Sequence, residues 1–368
     1  MNAFLAYESN RTYVFQDYVW KPEYYYWRPD QFLTYPPRTP LNAIISGPVA
    51  GGLWEAGDNT PRAISEKWFD VVCPVSQRRV INTRDIKTPQ MREWMGNDIF
   101  QLWRNLLSEA PEHCIEIWPS EDNEDDYPQT FDLWLWGSHR VLPLWDSFSK
   151  SPISRLLKSS PIVQSAVDRN EYIFHPQGPR PSHPASPNPF DRLLAMHIRR
   201  GDYKNACTDL ATWNSTYYSW NLLTFLPDRF DPPPGGSFAY NTPENTAKYM
   251  EHCLPTFEAI VQKVRDSRGD FVKAGVAKGE QRVLDVIYLL TNEESDWLDR
   301  LKEALRKDGW YTIRTSRDLV LDQEQTDVNM AVDMDIARRA AVFIGNGVCL
   351  WYSFGGPADN WTVVFIHK

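Results

Sequence analysis

The chain has 368 residues and a formal net charge of -9 at neutral pH, so it lacks the general basic surface that holds a nucleic acid, and any anion site must be local. Its length is enough for two domains of ordinary size, each with its own core. Five widely spaced cysteines with no CxxC pair give no support to a zinc site or a thioredoxin-like motif, and an odd count leaves at least one thiol outside any internal pair.

Residues 1–9 read as the interior of an amphipathic helix with nothing capping its N-terminal side, followed after Asn10-Arg11 by a strand over 12–15. A doubly wound half-domain ordinarily begins with a strand and a tight glycine-rich turn. Neither precedes this helix, which points to Met1 as an internal methionine of a longer protein. Further strands are predicted over 43–45 and 131–136, and helices over 98–109 and 152–167. The proline-rich stretch 175–190 separates an N-terminal domain, 1–180, from a C-terminal domain, 190–368. A second such stretch, ending in Pro232-Pro233-Pro234-Gly235-Gly236, is a long loop, since prolines can continue neither helix nor strand. No apolar run approaches the roughly 20 residues that span a bilayer, and no signal peptide opens the chain, so this start taken at face value means a cytoplasmic protein. Three sequons, at Asn10, Asn214 and Asn360, matter only in a secretory compartment.

The C-terminal half alternates strands and helices as parallel βαβ units do. Residues 193–198 form an apolar strand that stops at His197-Ile198-Arg199-Arg200-Gly201-Asp202-Tyr203, where Gly201 permits a sharp exit. The Arg200-Gly201-Asp202 tripeptide closes a strand rather than tipping a loop, against a cell-adhesion role. A strand is predicted over 283–290, ending at Thr291-Asn292-Glu293, then a helix capped by Ser295 that runs to about residue 307 and stops at Gly309. A strand over 310–314 follows. A helix over 328–340 puts Met330, Met334 and Ala337 on one face, and a strand over 341–344 ends at Gly345-Asn346-Gly347. Residues 363–366 form a last strand. The strand ends at Arg199, Thr291 and Gly345 converge on one crevice, and ligands in open α/β sheets sit beyond such ends.

A charged strand end is either a solvated ion-pair cluster or a ligand site. As a site it suits an anion. Arg199 offers a planar fork of donors to a diphosphate and stabilises charge growing on a leaving phosphate. His197 alternates with Arg199 onto the same side of the strand, and Arg200 faces away. Asp202 can orient an arginine. Asp333 is either a helix-surface carboxylate or an acceptor for a ribose or base.

Together these residues resemble the GDP-fucose protein O-fucosyltransferase family, including its fungal relatives, whose second domain opens with a His-x-Arg-Arg-Gly-Asp-aromatic strand end. The family's Asp, apolar helix and Phe-Ile-Gly-Asn are similar to Asp333 and Phe343-Ile344-Gly345-Asn346, and Asn10-Arg11-Thr12-Tyr13-Val14-Phe15 resembles its first helix-to-strand junction. The likeness implies an α/β fold of GT-B type, two Rossmann-like domains facing a central cleft, with GDP held mainly by the C-terminal one. It implies metal-independent, inverting transfer of fucose from GDP-fucose to a hydroxyl of a protein or glycan acceptor, Ser or Thr in related enzymes. Arg199 would be catalytic, and His197, Asp202, Thr291, Asp333, Gly345 and Asn346 would bind the donor. It also implies a Cys207–Cys253 disulfide, and hence the lumen of the endoplasmic reticulum or Golgi if the full-length chain carries a signal or anchor. The sequence departs from the family in lacking the N-terminal glycine-rich loop and in placing Ser353-Phe354 a few residues late. The alternative implied is a non-catalytic GDP-sugar or glycan-binding relative; a third is an enzyme for another GDP-sugar.

Overall fold

The apolar run Leu193–Ile198 is a strand, and in the computed structural model it lies in the middle of a parallel sheet. The structure describes residues 1–19, 38–118, 130–131, 133–176, 188–200, 203–217, 219–226, 228–345 and 362–365. The chain divides into two compact units, Met1–Val163 and Gln164–Lys368.

The second unit is labelled by itself. Its strands are β1 (Leu193–Ile198), β2 (Val286–Thr291), β3 (Thr312–Thr315), β4 (Val342–Gly345) and β5 (Thr362–Phe365). All pair in parallel, side by side in the order β3-β2-β1-β4-β5. That is the order of a doubly wound dinucleotide-binding sheet, which reverses direction between β1 and β4. Its longer helices after β1 are α1 (Tyr203–Thr212), α2 (Pro243–Cys253), α3 (Phe257–Ala277), α4 (Asp296–Lys307) and α5 (Asn329–Arg339).

Because strand side chains alternate, each strand feeds two cores. Leu194, Met196 and Ile198 of β1, Ile287 and Leu289 of β2, and Val342 and Ile344 of β4 pack against Ile260 and Val264 of α3 and Leu298, Leu301 and Leu305 of α4. α4 begins where Ser295 accepts the Trp297 N–H, carries Asp296 and Asp299 in its first turn and Arg306 and Lys307 in its last, and ends before Gly309 at a φ of 89°. On the opposite face Tyr288 packs edge-on to Phe174, 5.6 Å between centroids, and α5 lies against β1.

The buried stripe of α5 is Val328, Ala331, Val332, Asp335 and Ile336, the i, i+3, i+4, i+7, i+8 pattern of one helix face. Met330, Met334 and Ala337 do share a face of this helix, but of the three only Ala337 is buried, and both methionines are half-buried. The apolar pattern is hidden in sequence because Asp335 occupies its centre. That carboxylate is neutralised inside the helix packing by Arg338 (2.6 and 2.9 Å) and Arg339 (2.7 Å), and Arg339 reaches on to Asp168 (3.0 Å).

The first unit holds short parallel pairs, Val14–Phe15 with Ile64–Ser65 and Arg79–Asn82 with Ile115–Trp118. A disulfide joins Cys73 to Cys114 at the entry to the second pair. The helix Gly96–Glu109 buries Ile99, Phe100, Trp103 and Leu107, and Phe4 of the helix Asn2–Glu8 stacks on Phe100 at 4.9 Å.

Three predicted elements are corrected here. Around residues 43–45, Leu41–Ile44 is a helical turn and the strand is Ile45–Ser46. Leu133–Trp136 is a short helix, since a run of a few apolar residues does not distinguish buried strand from buried helix. The helix expected over 152–167 is two, Pro152–Arg155 and Pro161–Arg169, because Pro161 lacks the N–H that a continuous helix requires and starts a new one instead.

Arg11 closes the C-terminal end of the long helix in this unit. Its guanidinium donates to the carbonyls of Leu107 (2.6 Å), Ala110 (2.5 Å) and Glu112 (2.8 Å), groups with no partner inside the helix. Arg11→Ala should lower stability by about 2 kcal/mol, the scale of charge-assisted hydrogen bonds lost at a half-buried end. Thermal unfolding of the full chain would show an earlier transition, and a curve superimposable on wild type would contradict the assignment.

Candidate functional site

The site grows out of the carboxyl ends of β1, β2 and β4. The register sets Gly345 of β4 and Leu290 of β2 on either side of His197, and Thr291 beside Ile198. The point where the sheet order reverses, at which doubly wound folds place their ligand crevice, therefore lies between Arg199, which follows β1, and Gly345, which ends β4.

Side chains lace these ends together. Asn292 accepts the Arg200 N–H (3.1 Å) and its amide donates to the Arg200 carbonyl (3.1 Å), so a side chain ties the β1 and β2 ends together just past the strands. Thr291 Oγ1 accepts the Glu293 N–H at 3.1 Å, fixing the turn that follows. Glu293 accepts the Glu294 and Ser295 N–H groups, and the hydrogen bonding at Ser295 holds its carboxylate below the usual range. Its backbone carbonyl receives the Arg317 guanidinium from the end of β3 (3.2 Å). These bonds hold the turn after β2 and the start of the segment after β3 in place.

The two arginines part company as strand alternation predicts. Arg200 lies over the Trp297 ring of α4, 4.4 Å from its centroid, and donates to the Pro255 carbonyl (3.2 Å). Arg199 lies over the Tyr203 ring of α1 at 5.3 Å.

Asp333, on α5, accepts the Tyr288 hydroxyl and the Ser316 hydroxyl (2.7 Å), so it ties β2 and the end of β3 to the helix on the His197 side of the sheet. Burial pushes its carboxyl up to about 6, against the pull of the two hydroxyl donors, and drives the Tyr288 phenol well above its ordinary value. His197 moves the other way. Burial and the adjacent Arg199 charge push it down to about 4. At neutral pH the face thus presents a neutral imidazole, an ionised but hydroxyl-bonded carboxylate and a guanidinium.

These two shifts oppose one another in acid. Asp333, raised when folded, contributes stability that is fully present below about pH 4 and is lost as pH rises through about 6. His197, lowered when folded, contributes stability that is present above pH 6.5 and is lost as pH falls through about 4. Asp333→Asn removes only the first. The stability of wild type relative to this variant should therefore decline by about 2 kcal/mol between pH 4 and 6.5. Urea titrations at both pH values check this, and a difference independent of pH would contradict it.

Among the residues singled out from sequence, His197 and Gly345 are paired across β1 and β4, Thr291 lies at the neighbouring strand end, and Asp333 stands on the covering helix. Asp202 and Asn346 lie outside the described residues. Cys207 and Cys253 are joined in a disulfide between α1 and α2. Sequence reasoning missed Asn292, Tyr288 and Ser316; only the position of Asn292 directly after a strand end offered a signal. Among the described residues no group of three or more His, Cys, Asp or Glu could hold a metal ion, and no helix is long and apolar enough to cross a membrane.

No family model matches the sequence, and no curated protein does. Solved structures of POFUT1 are similar in fold. The complex with GDP-fucose superposes with a TM-score of 0.52 at 14% identity, covering 99% of this chain and 93% of that one. A complex with GDP gives 0.51 at 14% identity, covering 100% and 94%. At that identity the likeness bears on fold alone, and the fold is α/β of GT-B type.

Proposed function

We propose that this chain is a GDP-fucose-dependent glycosyltransferase that moves fucose, with inversion, to a hydroxyl of an acceptor, Ser or Thr of a protein. The observation that carries this reading is the placement of Arg199 and Gly345 at the reversal point of a β3-β2-β1-β4-β5 sheet, where doubly wound folds bind nucleotides. POFUT1 structures of similar fold hold GDP-fucose and GDP, which supports the choice of donor.

In this reading Arg199 binds the diphosphate as a fork of donors. It compensates the negative charge that accumulates on GDP as the bond from the sugar carbon to the phosphate oxygen breaks, while the acceptor oxygen forms its bond to the opposite face of that carbon and its proton passes to the departing diphosphate or to solvent. His197, uncharged at neutral pH, can hydrogen-bond the nucleotide without adding charge. Thr291, Asp333 and Gly345 belong to the same donor site, as do Asp202 and Asn346 by sequence. The chemistry is drawn with no metal. The two disulfides, Cys73–Cys114 and Cys207–Cys253, support an oxidising compartment such as the secretory lumen.

The test is incubation with GDP-[14C]fucose, with and without acceptor proteins, while both transfer and hydrolysis are followed. Label released or transferred, and suppressed by GDP-fucose more than by GDP-mannose, supports the enzyme. Binding of GDP-fucose with neither product would establish the alternative, a non-catalytic GDP-sugar-binding protein.

A further inference from the structure

The buried face of α1 is Tyr203, Cys207 and Ala211, spaced four residues apart, and each is packed into a cluster with Tyr249 and Cys253 of α2 and with Tyr217 and Phe230. Tyr203 opens that stripe and is 8% exposed. One helical turn later Cys207 is covalently joined to Cys253. The ring so fixed presents its face to the Arg199 guanidinium at 5.3 Å, within the range of cation–π attraction. The cluster is further braced by the Tyr217 hydroxyl, which donates to the Tyr249 carbonyl (2.9 Å), and the Tyr249 hydroxyl, which donates to the Ser215 carbonyl (2.8 Å).

We infer that Tyr203 is a positioning residue for Arg199: the α1–α2 cluster, with the Cys207–Cys253 disulfide, holds an aromatic platform on which the guanidinium rests in its anion-binding orientation. This rests on the proposed role of Arg199 as the diphosphate ligand. A long arginine side chain at a strand end has many rotamers to lose on binding an anion, and a ring that already confines it reduces that loss. The neighbouring Arg200 shows the same device on the other face of the sheet, where Trp297 is the platform and the guanidinium also donates to the Pro255 carbonyl. The ring, rather than the hydroxyl, is the working part of Tyr203.

The experiment compares wild type, Tyr203→Phe and Tyr203→Leu by two readouts on the full chain. The first is ligand-free NMR of arginine Nε–H groups in 15N-arginine-labelled protein, with the Arg199 resonance assigned by its absence in Arg199→Lys. The second is calorimetric titration with GDP. The expected result is an Arg199 resonance displaced by the ring current in wild type and Tyr203→Phe but not in Tyr203→Leu. The Kd for GDP should rise about 3- to 30-fold in the Leu variant and less than about 2-fold in the Phe variant, at unchanged far-UV dichroism. A platform that merely filled space would be served as well by Leu. If Tyr203→Leu does not fold, Tyr203→Met supplies the same comparison. An Arg199 resonance that is the same with and without the ring would overturn the proposal, as would equal GDP affinity in the Leu and wild-type proteins. Failure of wild type to bind GDP would instead overturn the donor reading, and the resonance would still decide whether Tyr203 orients Arg199.

Discussion

Arg199→Ala should reduce fucose transfer or GDP-fucose hydrolysis by about 10²- to 10³-fold, the usual cost of deleting a donor aimed at charge that develops in the transition state. GDP affinity should fall by about 10-fold or more, since a charge-assisted pair to phosphate is lost. The fold should survive. Arg199 follows the last residue of β1 and contributes nothing to the cluster of Leu194, Met196 and Ile198 that the strand buries. Arg200→Ala is the matched control. It gives up the contact with Trp297 and the bond to the Pro255 carbonyl, both structural, so it should lower the melting temperature while changing turnover by less than about 3-fold. Initial rates and melting curves of the two variants, side by side, decide the matter. Equal loss of turnover would mean that the two arginines do not divide their roles by strand face, and retained turnover in Arg199→Ala would remove it from the chemistry.

Asp335→Ala should cost about 3 kcal/mol of stability, at the lower end for breaking a buried ion pair, because the partners it leaves behind are not fully buried. The Asp335 side chain is wholly inaccessible, but Arg338 and Arg339 retain 33% and 24% of their side-chain exposure, and Arg339 keeps Asp168. Both arginines can therefore be partly rehydrated. Asp335→Asn keeps the shape and one acceptor and should lose less. α5 carries Asp333 and leads directly into β4, so the loss will also loosen the Ser316 and Tyr288 attachments. Urea unfolding of the three proteins gives the order directly, and an Ala variant within about 0.5 kcal/mol of wild type would show that the ion pairs contribute nothing net.

The second unit was legible in the sequence because its signals are local. β1, β2 and β4 are short apolar runs that end in polar residues, α4 has a serine cap and a terminal glycine, and these survive in the structure within a residue or a few. The strand order was not legible, since it depends on which strands pair across long gaps in the sequence, β1 with both β2 and β4. Nor were α1 and α2, whose cluster is built of tyrosines, a phenylalanine and a disulfide rather than a clean apolar period. In the first unit the strand expected over 12–15 is found as Val14–Phe15, but Ile64–Ser65, Arg79–Asn82 and Ile115–Trp118 are two to four residues long, too short to show a period, and Cys73–Cys114 could not be chosen by spacing. At the site, His197, Arg199 and Gly345 were readable as the ends of strands. The lacing by Asn292, Arg317 and Ser316 was not, because each bond joins loops that the sheet brings together.

The most direct test of the account is calorimetric titration of the folded wild-type chain and of Arg199→Ala with GDP, and with UDP as control. Saturable binding of GDP by wild type, weakened by about 10-fold or more in the variant and absent with UDP, is the predicted result. Equal binding of GDP by both proteins, or none by a folded wild-type chain, would contradict the assignment of the β1–β4 crevice as the donor site.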